Sequence, residues 1–339
     1  MPPLNILLSC IALPALNVAT PSSSMCHTTP ILPANDDAAV CFLLPSMTWH
    51  CRRARSLVLP LLQRYTSAIA SMLLHRVFTI FIACRFASFT QMNALVLWVH
   101  EPEVRHAMLA NKALKAMTNK IKELQVVVEI ACGNKTLYVN AVREAYIDLY
   151  GCTIEEDILD CVYDMPLKKT LLALISSNRH SKETTKKEIA VEDASKMHEA
   201  IRKRRLDDDS FLWILSTRSI SQLRETFATY QQLFDHSLEQ DIANCGEDDL
   251  ENLLIAAIRC TCNPEKHFAK VIRESMIGIG TDEESLNRAI VSRAEVDMLK
   301  IEIEYAAMFD SNLVKDVCGD TSGSYQNFLM TLMGKDPLE

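Results

Sequence analysis

Three copies of one helical pattern lie along this chain, and this repetition limits its fold more than any other feature. Each copy carries two aromatic residues four positions apart, and the first members are Tyr146, Tyr230 and Tyr305, which lie 84 and 75 residues apart. An apolar residue and an aspartate follow each tyrosine at the same two offsets, at Ile154 and Asp157, Leu238 and Asp241, and Leu313 and Asp316. Because a single repeat cannot bury its own apolar face, a stacked array of repeats is the expected fold.

The spacing of apolar residues predicts helices and no strands. Four apolar residues of the last copy fall on one helix face, namely Met298, Ile301, Tyr305 and Met308. Thr281 is followed three positions later by Glu284, a capping-box pattern in which the Thr281 hydroxyl would accept from the Glu284 amide and start a helix. The sequence therefore predicts an all-α fold.

The N-terminal part of the chain differs in composition from the rest. Residues 1–100 contain two acids, six arginines and no lysine, a net charge of +4, although the whole chain has a net charge of −8. We therefore expect residues 1–88 to be a divergent segment, poorly ordered or aberrant. The acidic remainder argues against nucleic acid as a partner. The twelve cysteines show no CxxC pattern and are expected to be reduced cytosolic thiols.

A glycine-rich segment, Met276–Thr281, is followed after thirty-eight intervening residues by Asp320. Gly278 and Gly280 allow a tight turn, because glycine enters positive φ without steric cost. Such a turn can direct the carbonyl oxygens of Met276, Gly278 and Gly280 to one point, where Asp320 would add both carboxylate oxygens. Ca²⁺ takes six to eight oxygen ligands of these kinds. The remaining positions would be open to water or to a lipid phosphate.

Four motifs resemble the annexin family, and specifically its plant branch. They are Gly278–Glu283, Ile290–Met298, Asp320–Tyr325 and Asn263–Phe268. The resemblance implies an annexin-like array of five-helix repeats forming a curved disc. The implied parts are a remnant of repeat one at 89–102, repeat two at 103–180, a linker at 181–192, repeat three at 193–262 and repeat four at 263–339.

The resemblance also implies how the repeat-four loop would bind Ca²⁺. The ion would be held by the carbonyl oxygens named above and by Asp320, while Thr281 and Glu283 lie where the family places an accessory ion. The alternative is that the glycines merely form a turn between helices and that Asp320 caps the following helix.

Repeats two and three lack the acid that this site needs. At the repeat offsets, Cys245 and Cys161 stand where repeat four has Asp320, and Lys203 and Arg205 stand where it has its two glycines. We therefore expect neither repeat to bind calcium in this way.

The segment Arg202, Lys203, Arg204 and Arg205 is basic and occupies the loop position of repeat three. These side chains could contact anionic lipid headgroups directly, each contributing about 1 kcal/mol near a charged surface. The alternative is a solvated helix end that the acids at 207–209 neutralise.

Cys132 and Cys260 match positions where plant annexins often carry cysteines that are proposed to respond to oxidation. A small buried apolar residue is the usual role of an isolated cysteine, so both interpretations stay open.

The sequence favours a cytoplasmic, non-enzymatic protein that binds acidic phospholipids peripherally, at the plasma membrane, when calcium rises. Self-association on membranes is a further expectation. The alternative is a helical interaction protein, binding actin or another partner, with a vestigial calcium loop. Asp320–Gly323 resembles a nucleotide-binding DxxG motif, but no phosphate-binding loop accompanies it. The family's peroxidase activity cannot be carried over, because the matching part of repeat one is not recognisable.

Overall fold

A computed structural model describes residues 89–116, 121–176, 179, 184–246 and 248–335. The expectation for residues 1–88 lies outside this range. The described residues are helical and contain no strand, so the predicted all-α class is confirmed.

Sixteen helices follow one another in the described part of the chain. The first six are α1 (Phe89–Val99), α2 (Pro102–Lys115), α3 (Ile121–Cys132), α4 (Thr136–Tyr150), α5 (Ile154–Cys161) and α6 (Met165–Ile175). The next five are α7 (Lys187–Arg202), α8 (Asp209–Thr217), α9 (Ile220–Phe234), α10 (Leu238–Ala243) and α11 (Asp249–Cys262). The last five are α12 (Pro264–Ser275), α13 (Glu283–Arg293), α14 (Met298–Phe309), α15 (Leu313–Asp320) and α16 (Gly323–Leu332).

The same five-helix pattern occurs in α2–α6, α7–α11 and α12–α16, which we refer to as repeats two, three and four. The third helix of each group ends at a left-handed residue, and these residues are Gly151, Asp235 and Asp310. Helix α7 begins at Lys187, inside the stretch 181–192 that was expected to be a linker. The Gln222 side chain supports this start, because it accepts from the Lys186 amide at 2.8 Å and donates to the Lys186 carbonyl at 3.0 Å.

A buried tyrosine ties the third helix of each repeat to the fourth. Tyr230 donates to Asp241 and Tyr305 donates to Asp316, both at 2.7 Å, and Tyr146 makes the same bond to Asp157. All three tyrosines are fully buried. A buried hydroxyl without a partner would be destabilising, so the recurring aspartates found in the sequence are structural residues.

Repeat two contacts its neighbours in two different ways. Its helix α3 packs against α11 of repeat three. Towards repeat four, the buried Glu129 of α3 pairs with Arg288 and lies 3.0 Å from the Nε2 atom of His267. The contact with repeat four therefore contains a buried ionic group.

None of the helices in the described part of the chain combines the length and the apolar character needed to cross a bilayer.

Candidate functional site

The segment between α12 and α13 forms a closed, exposed loop. The Asp282 amide donates to the Ser275 carbonyl at 2.7 Å, which brings the two ends of the loop together. Gly278 and Gly280 have φ values of +116° and +83°. These values disfavour side chains bearing a Cβ, so the glycines are required by the backbone of the loop. Ile277 and Ile279 extend from it into solvent.

Asp320, the last residue of α15, lies against this loop. The Thr281 hydroxyl reaches the Asp320 Oδ2 atom at 2.5 Å and the Asp320 carbonyl oxygen at 3.2 Å. A residue thirty-nine positions away in the sequence therefore contacts the end of the glycine turn. The resemblance to the annexin motif predicted this proximity, although it did not assign the contact to Thr281.

The donor atoms around the loop have the chemistry that a hard cation requires. Among the described residues, no backbone amide donates to the carbonyl oxygens of Met276, Gly278 or Gly280. No group of three or more His, Cys, Asp or Glu side chains in the described ranges is arranged to hold a metal. Backbone oxygens would therefore supply most of the ligands, with one carboxylate, and this donor set fits Ca²⁺ better than a soft metal.

Two carboxylates give this end of repeat four a negative potential. Burial, followed by the charges of Glu283 and Asp320, raises the pKa of the Tyr325 hydroxyl. Tyr325 is buried and donates to the Asn287 side chain at 2.7 Å. Although the sequence motif contains Tyr325, sequence reasoning gave it no role. The structure places its hydroxyl close enough to Glu283 and Asp320 for their charges to act on it.

The expected capping box at Thr281 is wrong. Helix α13 begins one residue later, because the Asp282 side chain accepts from the Ser285 amide at 3.1 Å and acts as the N-cap. The Thr281 hydroxyl is engaged by Asp320 instead. Glu283 is the first residue of α13 and is exposed.

In repeat three, protein atoms occupy the space that corresponds to the candidate calcium site of repeat four. The Cys245 Sγ atom lies 3.8 Å from the carbonyl oxygen of Ile201, the residue equivalent to Met276. The Arg204 and Arg205 amides donate to the Ile201 and Ala200 carbonyls at 2.8 and 2.9 Å, which ends α7 in a Schellman-type turn. Arg204 occupies the left-handed position of this turn, with φ +54°.

The four basic residues of that turn, Arg202–Arg205, are all exposed. Glu199 pairs with both Arg202 and Lys203, at 3.1 and 2.9 Å, and Asp208 lies 3.8 Å from Arg205. Arg204 forms no salt bridge with any residue in the described ranges.

In repeat two a lysine reaches the position equivalent to the acid. The Lys115 Nζ atom lies 2.8 Å from Asp157 and 3.6 Å from the Cys161 Sγ atom. The segment 117–120 of that loop lies outside the described residues.

A series of contacts through repeat two links the repeat-three loop to the start of α13, beside the repeat-four loop. Lys112 near the end of α2 pairs with Glu284 at the start of α13, so these two helix ends adjoin. Lys169, near the start of α6, pairs with Asp209 at 2.7 Å and donates to the Asp207 carbonyl at 2.6 Å, at the loop of repeat three. Within repeat two, the Lys115 contacts bring the end of α2 to α5. We call the surface formed by the loops of repeats three and four, together with the ends of α2 and α5, the loop face.

Cys132 and Cys260 are both buried. Burial raises the pKa of both thiols. Reactive cysteines are exposed and have lowered pKa values. The structure therefore gives both residues the environment of structural cysteines, whereas the redox role from the sequence has no geometric support.

Comparison with known proteins agrees with this architecture. The annexin family model matches residues 192–257 and 267–332. Annexin D3 of Arabidopsis thaliana is 44% identical over 246 residues, which cover 72% of this chain and 76% of the relative. Among solved structures, annexin III matches with a TM-score of 0.68 and 28% identity, covering 74% of this chain and 77% of that one. A calcium-bound annexin (Sm)1 matches with a TM-score of 0.64, 22% identity and 74% coverage of both chains, a likeness of fold alone.

Proposed function

Since this chain belongs to the annexin family, whose members are mainly calcium-dependent membrane-binding proteins, we propose that its repeat-four loop binds Ca²⁺ and thereby attaches the protein to anionic phospholipids. Family membership supports calcium-dependent phospholipid binding in general. We propose that the ion binds at the loop 276–281 and at Asp320.

The contact between Thr281 and Asp320 carries the proposal. It brings the distant carboxylate to the loop, at 2.5 Å from the Thr281 hydroxyl, while no backbone amide of the described residues donates to the carbonyl oxygens of Met276, Gly278 and Gly280. The loop thus presents oxygen atoms of two kinds, neutral and charged. Glu283 adds a second negative charge nearby for an accessory ion.

Bound Ca²⁺ would supply positive charge that links the loop oxygens to lipid phosphate oxygens. The protein needs such a charge because its own net charge is −8 and an anionic surface would repel it. Attachment through this loop should therefore reverse when a chelator removes the ion. We also propose that the encounter occurs at the cytoplasmic leaflet of the plasma membrane, which is rich in anionic lipid.

The exposed isoleucines of the loop would strengthen the attachment. Ile277 and Ile279 lie on either side of Gly278 and extend into solvent. If the loop approaches the membrane, these side chains enter the headgroup region. Complete removal of one such side chain from water is worth about 1.5–3 kcal/mol. Apolar contact and the ion bridge therefore act at the same place.

Vesicle co-sedimentation tests the proposal. Vesicles of phosphatidylcholine and phosphatidylserine should pellet the wild-type protein more strongly in calcium than in EGTA. Asp320→Asn keeps the shape of the side chain but removes its charge, so it should abolish the calcium-dependent increase. Asp310→Asn is a matched control, because Asp310 is exposed at the end of α14 and asparagine tolerates its left-handed backbone.

Two results would contradict the proposal. An unchanged calcium response in Asp320→Asn would place the ion elsewhere. Equal pelleting of the wild-type protein in calcium and in EGTA would favour the other interpretation, in which the loop is vestigial and the helices bind actin or another protein.

A further inference from the structure

We propose that the basic loop of repeat three, Arg202–Arg205, is a second membrane contact that binds the phosphate groups of anionic lipids without calcium. This inference rests on the proposed function only for the orientation of the molecule, because both loops belong to the loop face. The two contacts would differ in chemistry, since one uses a bound ion and the other uses fixed charges.

The structure of the repeat-three loop excludes an ion of the repeat-four kind. The Cys245 Sγ atom, which replaces the acid, lies 3.8 Å from the Ile201 carbonyl. The same carbonyl accepts from the Arg204 amide at 2.8 Å. The oxygen equivalent to that of Met276 is therefore occupied by protein donors, and no carboxylate faces it from position 245. The cationic side chains are the groups that this loop offers to an anion.

The charges of the loop are only partly neutralised by its own neighbours. The single carboxylate of Glu199 pairs with two cations, Arg202 and Lys203. Asp208 is 3.8 Å from Arg205, and it also accepts from the Ser210 amide and hydroxyl, at 3.0 and 2.5 Å, as the N-cap of α8.

One further acid beside the loop, Asp209, is held by a different lysine, which also binds a backbone carbonyl of the loop. Lys169 pairs with Asp209 at 2.7 Å and binds the Asp207 carbonyl at 2.6 Å. Arg204 pairs with no acid in the described part of the chain. Its guanidinium group is thus available to a phosphate, for which its planar arrangement of donors is well suited.

Arg204 also occupies a backbone position at which glycine would be more stable. Its φ of +54° is left-handed, and a non-glycine residue in this region is destabilised by roughly fivefold or more in its conformational equilibrium. A side chain at this position therefore lowers stability, while it places a cation at the exposed end of the turn. Substitution by glycine separates the two effects, because it should stabilise the fold and weaken membrane binding.

The loop face allows both loops to meet one membrane. Lys169 joins repeat two to the repeat-three loop, and Lys112 joins repeat two to the start of α13 beside the repeat-four loop. The calcium loop would add its contact when calcium rises, while the basic loop would already be engaged. Two weak contacts on one molecule act together, so each increases the effective concentration of the other.

The test measures binding of the full chain to vesicles in EGTA at low ionic strength. Wild-type protein should bind phosphatidylcholine vesicles that contain phosphatidylserine, and should not bind vesicles of phosphatidylcholine alone. Each cation near a charged surface is worth about a fivefold change in partition coefficient, so Arg204→Gly with Arg205→Ala should lower binding by about 30-fold. The melting temperature of the variant should not fall, because the glycine relieves the left-handed position.

A control variant, and the same binding measurement repeated in calcium, separate this inference from the proposed function. Lys196→Ala removes one cation that pairs with Glu192 on α7, outside the basic loop, and should leave calcium-free binding unchanged. Asp320→Asn should also keep calcium-free binding while it loses the calcium-dependent increase. Equal binding of wild type and the double variant in EGTA would overturn the inference, as would calcium-free binding that does not depend on phosphatidylserine.

Discussion

The loops of repeats three and four occupy the same place in the repeat and present opposite chemistry. In repeat four the loop contains two left-handed glycines and lies against a carboxylate, with Thr281 bonded to Asp320 at 2.5 Å. In repeat three a thiol lies in place of the carboxylate, with the Cys245 Sγ atom 3.8 Å from the Ile201 carbonyl, and Lys203 and Arg205 replace the two glycines. One loop is suited to bind a cation and the other is itself cationic.

This difference shows that the loops can change without loss of the helical framework. The ties Tyr230–Asp241 and Tyr305–Asp316 have the same length of 2.7 Å in the two repeats. Both tyrosines are fully buried, whereas the loops are exposed. Since exposed loops contribute little apolar burial, substitutions there change binding far more than they change stability.

The largest effect should come from giving repeat four the residue of repeat three. Asp320→Cys removes both carboxylate oxygens, and we expect calcium affinity to fall on the order of 100-fold, about 3 kcal/mol. Calcium titration of the wild-type and variant proteins, in the presence of phosphatidylserine vesicles and a reductant, measures the change.

Asp320→Glu is the matched control for this substitution, because it keeps the charge and both oxygens. It should retain most of the affinity that Asp320→Cys loses. Similar affinities for Asp320→Cys and the wild type would show that repeat four does not differ from repeat three in the way described.

A smaller effect, on the free energy of unfolding, should come from the buried contact between repeats two and four. Burial, followed by the positive charge of Arg259, lowers the pKa of His267 to about 4. The unfolded chain binds a proton at His267 below pH 6.5, whereas the folded chain does so only near pH 4. Stability should therefore fall as pH decreases through this window, by about 2 kcal/mol from this group at pH 5.

Urea unfolding of the wild type and of His267→Gln, at pH 7.5 and pH 5, measures this effect. Glutamine can still donate to Glu129 but does not titrate, so the variant should lose less stability on acidification. An equal loss in both proteins would remove His267 as the cause. Repeat three offers no equivalent test, because it meets repeat two mainly through the apolar packing of α11 on α3.

Substitution of a glycine in the repeat-four loop should change the free energy of calcium binding by about 1 kcal/mol. Gly280→Ala introduces no clash, since nothing lies within 4 Å of the new Cβ, but φ is +83°. The strain of about 1 kcal/mol should weaken calcium binding about fivefold. Gly319→Ala in α15 is the control, because that position also has open space and an ordinary φ. Equal calcium affinity in the two variants would mean that the loop is not held in its left-handed form when calcium binds.

The smallest effect should come from giving repeat three only the acid that repeat four has at the equivalent position. Cys245→Asp leaves Lys203 and Arg205 in place of the glycines and leaves the Ile201 carbonyl bonded to the Arg204 amide. We therefore expect no additional calcium uptake in the titration described above. A second equivalent of bound calcium would show that the acid alone decides between the two loops.

The helical fold could be predicted from the sequence because its signals are local and repeated. The tyrosines and aspartates at fixed offsets indicated the repeats, and each pair proved to be hydrogen-bonded in the structure. The proximity of Asp320 to the loop was expected from the resemblance to the annexin motif, which has the same spacing. These features depend on residues whose roles are the same in every copy.

The remaining features depend on contacts between distant residues, which local patterns do not encode. Thr281 had the sequence of a capping residue, but Asp320 competes for its hydroxyl, and Asp282 became the N-cap. Helix α7 starts within the expected linker because Gln222, thirty-six positions away, binds the Lys186 backbone.

Calorimetric titration of calcium into the full chain with phosphatidylserine vesicles, for the wild type and Asp320→Asn, tests the central claim most directly. We expect heat of calcium uptake by the wild type that is absent from the variant, with both proteins equally folded. Superimposable titrations of the two proteins would contradict it.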